Sequence, residues 1–147
     1  MIEETLFIDV NVPMYAAGAT HPNRASCEWV MTSIANGRIR AAIDVEIVQE
    51  ILHRYGALNS WEVADKMATN ILRIIPVILP ITVRDIVQTV TLARMYGHAK
   101  GIPARDLIHA AVMKNNGLTT IVSTDKHFDH IIGLTRLHPQ QLMEQEA

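Results

Sequence analysis

Residues 5–10, Thr-Leu-Phe-Ile-Asp-Val, followed at once by Asn11-Val12-Pro13, decide the fold of this chain. A short apolar run rich in strand-forming residues that stops at polar and proline residues reads as a buried strand ending in a functional loop. The strand closes at Asp9, which therefore stands at its carboxyl end.

Downstream of that strand, helical and strand patterns alternate. After His21-Pro22, residues 24–36 carry Ala25, Trp29 and Ile34 at roughly helical spacing and stop at Asn36-Gly37. Residues 39–43 read as a second strand. Val45, Val48, Leu52 and Tyr55 then recur at helical spacing up to Gly56, with Glu46, Gln49, Glu50 and His53 on the opposite face. Asn59 or Ser60 caps a helix to about Ile75, and residues 77–81 form a third strand. Thr82 opens a helix through Gly97, with Asp85 three residues on in a capping-box position that more often holds Glu or Gln. A further helix from Pro103 to Asn116 has proline at its start and Gly117 at its end. Residues 120–123 and 134–137 supply the last strands. Strands separated by helices predict the α/β class, a parallel sheet covered on both faces. No linker or repeat interrupts the series, so residues 1–147 read as one domain.

Composition bounds the function. The chain has 147 residues, 49% hydrophobic and 19% charged, which excludes a disordered or fibrous protein. At this length a core can form without disulfides or a structural metal. Cys27 is the single cysteine, with no partner for a bridge, a redox pair or a zinc pair, which points to a reducing, cytoplasmic setting. The longest apolar run, residues 74–81, is broken by Pro76 and Pro80, and Glu3 and Glu4 stand where a signal peptide carries basic residues. Neither a membrane span nor export is expected. Thirteen Lys and Arg against fifteen Asp and Glu give a net charge of -2, so any contact with nucleic acid must be local.

The acidic residues suggest what the chain does. In parallel sheets ligands bind outside the carboxyl ends of the strands. Asp9 after the first strand and Asp125 after the penultimate one both fall there, and Asp106 lies in the first turn of a helix. An acid in a first turn also stabilises the helix by itself, through the macrodipole. Carboxylates converging in one cleft repel one another, and a bound hard cation relieves that repulsion. An Asp, Asn, Glu and Thr set suits magnesium, not zinc, and the chain has no His-Glu-x-x-His pattern or Cys/His framework. His127, Asp129 and His130 are therefore not expected to form a zinc site, and His109 reads as a satisfied, half-buried histidine beneath the acids. Arg105 is a candidate for a phosphate contact or a local ion pair. Spacing alone does not choose between Glu46 and Glu50, and an ion pair of Glu50 with Arg54 is a further alternative.

Four fragments in order carry a resemblance. Phe-Ile-Asp9-Val-Asn11, Glu50 within Val-Gln-Glu-Ile-Leu-His-Arg-Tyr, Asp106 within Ile-Pro-Ala-Arg-Asp-Leu-Ile-His-Ala-Ala, and Ser-Thr-Asp125-Lys-His-Phe-Asp129 together resemble the PIN-domain ribonucleases, particularly VapC-type toxins. The resemblance implies a three-layer α/β/α sandwich with a mostly parallel sheet of about five strands. It implies an endoribonuclease dependent on Mg2+, with Mn2+ able to substitute. Asp9, Glu50, Asp106 and Asp125 match the family's acids, with Asp9, Asp106 and Asp125 holding the metal and Asn11 and Thr124 supporting them. The resemblance alone selects Glu50 over Glu46, and Asp129 is a candidate fifth acid. It further implies products ending in 5'-phosphate and 3'-hydroxyl, a VapB-type antitoxin partner and a homodimer.

Lys100, Arg105, Lys114 and Lys126 flank the acids and are the expected contacts to an RNA backbone. The apolar stripe of residues 61–75 reads as core, or else as a dimer or antitoxin surface. Two rival readings exist. An aspartate phosphatase needs an acid two residues after Asp9, where Asn11 stands. A catalytically inactive PIN-like RNA-binding or scaffold protein would leave four acids repelling one another without use.

Overall fold

The computed structural model describes residues 3–146. Five strands, β1 (Leu6–Ile8), β2 (Ala41–Asp44), β3 (Val77–Leu79), β4 (Thr120–Val122) and β5 (Thr135–Leu137), form one sheet in the order β3-β2-β1-β4-β5. Every neighbouring pair is parallel. Each residue of β1, β2 and β4 is buried, which requires helices on both faces, whereas the edge strands β3 and β5 are partly exposed. The expected α/β/α sandwich is the fold observed.

The helices are α1 (Asn11–Ala17), α2 (Arg24–Ala35), α3 (Val45–Ala57), α4 (Trp61–Ile74), α5 (Val83–Leu92), α6 (His98–Lys100), α7 (Ala104–Asn115) and α8 (Pro139–Glu146). A π turn, Ala93–Gly97, joins α5 to α6, and a 3-10 turn, Lys126–His130, follows β4. Helix α2 packs against both α1 and α8, α3 against α4, and α5 against α7. Phe7, Ile43, Ile47, Ile51, Leu107 and Ile121 are among the fully enclosed side chains of the core.

Three local expectations are corrected, and one helix had no counterpart among them. Residues 11–13 are not a loop but the first turn of α1. Pro13 is tolerated because the first N–H groups of a helix have no intrahelical partner to lose. The helix expected to run unbroken from Thr82 to Gly97 leaves α geometry at Ala93. The third strand stops at Leu79, before Pro80, which has no N–H to give a ladder. Helix α8 carries little sequence signal, since only Pro139 and Leu142 of its eight residues are buried and its apolar stripe is correspondingly thin. The capping box did form: Thr82 Oγ1 accepts from Asp85 N at 3.3 Å and Asp85 Oδ2 accepts from Thr82 N at 2.9 Å.

Of the apolar stripe on α4, Met67 and Ile71 turn into the protein together with Ala64 and Ala68, whereas Val63 is 45% exposed. A more exposed apolar row lies on α5, where Val83, Ile86, Val87 and Val90 are 81%, 43%, 61% and 47% exposed. No helix among the described residues is long and apolar enough to cross a membrane.

Candidate active site

The strand order reverses direction at β1, whose neighbours are β2 on one side and β4 on the other. At such a switch point the connections leave in opposite directions and open a crevice at the carboxyl ends of the strands. Asp9 sits in that crevice, one residue past β1, its N–H donating to Val122 O at 3.1 Å. Asp125 follows β4 and caps the 3-10 turn, accepting from His127 N at 2.9 Å. Asp106 enters from the first turn of α7, and Glu50 from the second turn of α3. These four acids line one cleft of about 280 Å3, together with Asn11, His53, Arg54, Arg105 and His127. A larger groove of about 670 Å3 against α1, α2 and α4 shares no lining residue with it.

Asp9 is held on both oxygens. Oδ1 accepts from Val10 N at 2.8 Å, and Oδ2 accepts from Ser123 Oγ at 2.6 Å and from Asn11 Nδ2 at 3.1 Å. Asn11 also binds Ser123 Oγ at 3.2 Å and accepts from Thr124 N at 3.3 Å, so it ties β1 to the exit of β4. The hydroxyl that organises the acids is thus that of Ser123, one residue before the expected Thr124, which contributes its backbone N–H. Ser123 Oγ further accepts from Asp125 N at 2.9 Å.

His127 joins the other two aspartates. Its Nδ1 lies 3.1 Å from Asp106 Oδ2 and 3.1 Å from Asp125 Oδ1, so a single point is within bonding reach of both carboxylates. Lack of a zinc motif in the sequence hid this histidine's place in the cleft.

Glu50 is 7% exposed and is not part of a solvated helix face. Its Oε1 lies 2.6 Å from His109 Nε2 and its Oε2 3.9 Å from Arg105 Nε. Among the described residues Glu50 has no ion pair with Arg54; Arg105 takes that part. Glu46, a turn earlier, lies outside the cleft, in a shallower depression with Gln49, Pro103 and Ile108. His109 is wholly buried, where half-burial was expected, with Asp44 as its second partner.

Asp129 does not join the cluster. Arg136 grips its carboxylate with Nε at 2.9 Å and Nη2 at 3.1 Å, which holds it below its ordinary pKa. Lys114 is likewise committed elsewhere, donating to Ile132 O at 2.6 Å. Of the basic residues expected near RNA only Arg105 lines the cleft, beside His53 and Arg54, which were not among them.

Burial sets the electrostatics. It pushes the Asp9 carboxyl up to about 6, against the pull of His109 and the Ser123 hydroxyl. Burial also raises Asp106, partly offset by His127 and reinforced by Asp125, and raises Glu46, reinforced by Glu50. Asp9 and Asp106, which burial makes resist ionisation, converge with Asp125, and carboxylate oxygens so placed fit a hard divalent cation, with His127 Nδ1 beside the last two. Asp9, Asp106 and Asp125 are the residues that could hold it.

Comparison with known proteins agrees with this geometry. The sequence model of the PIN domain matches residues 6–134. Ribonuclease VapC13 of Mycobacterium tuberculosis is 33% identical over 132 residues, 90% of this chain and 98% of that protein. Ribonuclease VapC23 of the same species is 31% identical over 127 residues, 86% and 94% of the two chains. Among solved structures, VapBC2 from Rickettsia felis bound to a DNA fragment from its promoter superposes with a TM-score of 0.70 at 19% identity, covering 91% of this chain and 98% of that one.

Proposed function

The chain belongs to the PIN domain family, and from that premise we propose that it is the toxin endoribonuclease of a VapBC-type toxin-antitoxin pair, hydrolysing RNA phosphodiester bonds with Mg2+ held by Asp9, Asp106 and Asp125. The convergence of those three aspartates and Glu50 in one cleft carries the reading. Relatives named as VapC ribonucleases, aligned over nearly their whole length, support the activity. Mn2+ can substitute for Mg2+, because both ions accept the carboxylate oxygens of the three aspartates.

The bound cation supplies charge neutralisation at the scissile phosphate and a water of lowered pKa. The chain's own residues prepare that position. Ser123 and Asn11 orient the Asp9 carboxylate, and Ser123 also sets the start of the turn that carries Asp125. His127 holds Asp106 and Asp125 at a common distance, which fixes the spacing of the two carboxylates. Arg105 and Arg54, at the rim, offer guanidinium groups to the RNA backbone. The products expected are a 5'-phosphate and a 3'-hydroxyl.

A partner antitoxin of VapB type belongs to the same reading, since solved neighbours include toxin-antitoxin complexes. A homodimer and a cytoplasmic location accompany it. Light scattering that returned a stable monomer at high concentration would remove the dimer.

The decisive experiment is cleavage of an end-labelled structured RNA by the purified protein in Mg2+, Mn2+ or EDTA, beside Asp9→Asn and Asp106→Asn. Cutting that requires the metal and disappears in both variants is expected; a 2',3'-cyclic phosphate product, or full activity in EDTA, would overturn the mechanism. A scaffold without catalysis would neither cut RNA nor gain thermal stability from the metal.

A further inference from the structure

Glu50 reaches the cleft as one end of a buried chain of three ionisable side chains. His109 Nε2 lies 2.6 Å from Glu50 Oε1, and His109 Nδ1 lies 2.7 Å from Asp44 Oδ2. Asp44 and His109 are both 0% exposed. A carboxylate oxygen only accepts, so an imidazole set between two carboxylates donates at both nitrogens and is the imidazolium. Burial by itself would push His109 down; the bonds to Asp44 and Glu50 outweigh it and hold the ring well above its ordinary range.

The arrangement is rigid at every link. Asp44 ends β2 and caps α3, its Oδ1 accepting from Ile47 N at 3.2 Å. The imidazolium therefore spans from the cap of α3 to a side chain six residues into the same helix, and it is carried by α7, the helix that also presents Asp106. The ring of Phe7, on β1, packs against it with centroids 5.5 Å apart. His109 comes within range of Asp9 and Asp106, in a grouping that could hold an ion. With both nitrogens already bonded it has no free lone pair for a metal, and acts as an internal counter-ion.

We propose that His109 is a positioning residue of the active site: bonded to Asp44, it clamps Glu50 Oε1 and so fixes the Glu50 carboxylate at the cleft, locking α3 to α7. A free Glu50 would lose rotamer order and lean on the aspartates by repulsion alone. The clamp rests on the endoribonuclease reading for its consequence in catalysis, and on hydrogen-bond geometry for its existence, so the two can fail separately.

The test uses the full chain with His109→Gln, Glu50→Ala, their double variant and Asp44→Asn, assayed for RNA cleavage in Mg2+. Metal-free wild type is examined by proton-nitrogen NMR of the histidine rings at about pH 8, where a free imidazole is neutral. One histidine should show slowly exchanging N–H protons on both ring nitrogens, and the Nε2 proton should vanish in Glu50→Ala. His109→Gln should lower kcat by roughly 10- to 100-fold, the range found when outer partners of metal sites are removed, with KM unchanged within about twofold. Because His109 acts through Glu50, the double variant should be no slower than Glu50→Ala alone.

If His109→Gln does not fold, Asp44→Asn decides: its amide oxygen keeps the helix cap while its other end no longer stabilises the imidazolium, and kcat should drop about tenfold at constant KM. Cleavage by Asp44→Asn and His109→Gln at the wild-type rate, losses that multiply in the double variant, or a ring protonated at one nitrogen would each overturn the clamp. If wild type cuts no RNA, the nuclease reading fails and the NMR result alone rules on the clamp: two ring protons sustain it and one refutes it.

Discussion

At Asp9 burial and charge oppose each other. The side chain is 3% exposed and its carboxyl is pushed up to about 6, against 3.8 for a free aspartate. The folded state thus favours the protonated form, and ionisation costs stability in full above about pH 6, less between there and about pH 4, and nothing below. That difference amounts to about 3 kcal/mol at neutral pH. In EDTA, Asp9→Asn should therefore be more stable than wild type by roughly 1 to 3 kcal/mol near pH 7.5, with the gain gone near pH 4. Saturating Mg2+ should reverse the order, because only wild type then gains binding energy. Denaturant melts at the two pH values check this, and equal stabilities throughout would contradict it. Asp129 supplies the opposite case. With its carboxylate bound by Arg136 and outside the cleft, Asp129→Asn should leave RNA cleavage within about twofold and cost no more than about 1 kcal/mol. Asp9, Asp106 and Asp125 were legible because strand exits and a helix start announce themselves locally. Ser123 and Asp44 were not, since their roles depend on partners 114 and 65 residues away in the chain.

Helices carry their own signals unevenly. The start of α5 was readable from Thr82 and Asp85, and the structure adds a tertiary bond: Asn115 Nδ2, on α7, donates to Asp85 Oδ1 at 2.9 Å. Asp85→Ala should therefore cost more than Thr82→Ala, about 2 kcal/mol against about 1, because it loses the cap and the tie to α7 together. Thermal and urea melts of the two variants give the comparison; an equal loss would mean that the Asn115 bond contributes nothing. Helix α1 lacks such a signal. Its cap residue, Val10, has no side-chain oxygen, and Pro13 within its first turn looks like a stop when only the sequence is seen. The π turn at Ala93–Gly97 was equally hidden, since an α-helix and an α-helix with one wider turn share the same short-range pattern.

Across the whole molecule, the alternation of strands and helices was enough to read the sheet as parallel and doubly covered, while the strand order followed only from long-range pairing. A net charge of -2 draws no polyanion from a distance, and the acids in the cleft repel one. RNA should consequently bind much more tightly with Mg2+ than with EDTA, and equal affinity in a filter-binding or anisotropy titration would count against a metal-bridged phosphate. Metal at 100 times its Kd should raise unfolding stability by about 2.7 kcal/mol, visible as a higher Tm. The pairing of the central strand sets one more property, a schedule. Phe7 faces Ala42 on one side and Ile121 on the other, so the crevice has one wall made early and one made late. Ser123 follows Asp9 by 114 residues, roughly 6 to 23 s of synthesis at ordinary ribosomal rates. Throughout that interval Asp9 lacks the Ser123 hydroxyl that holds its Oδ2, and Asp125, two residues further on, is not yet made. The fold thereby acts as a delay fuse: the cleft is completed only when β4 has emerged and docked beside β1.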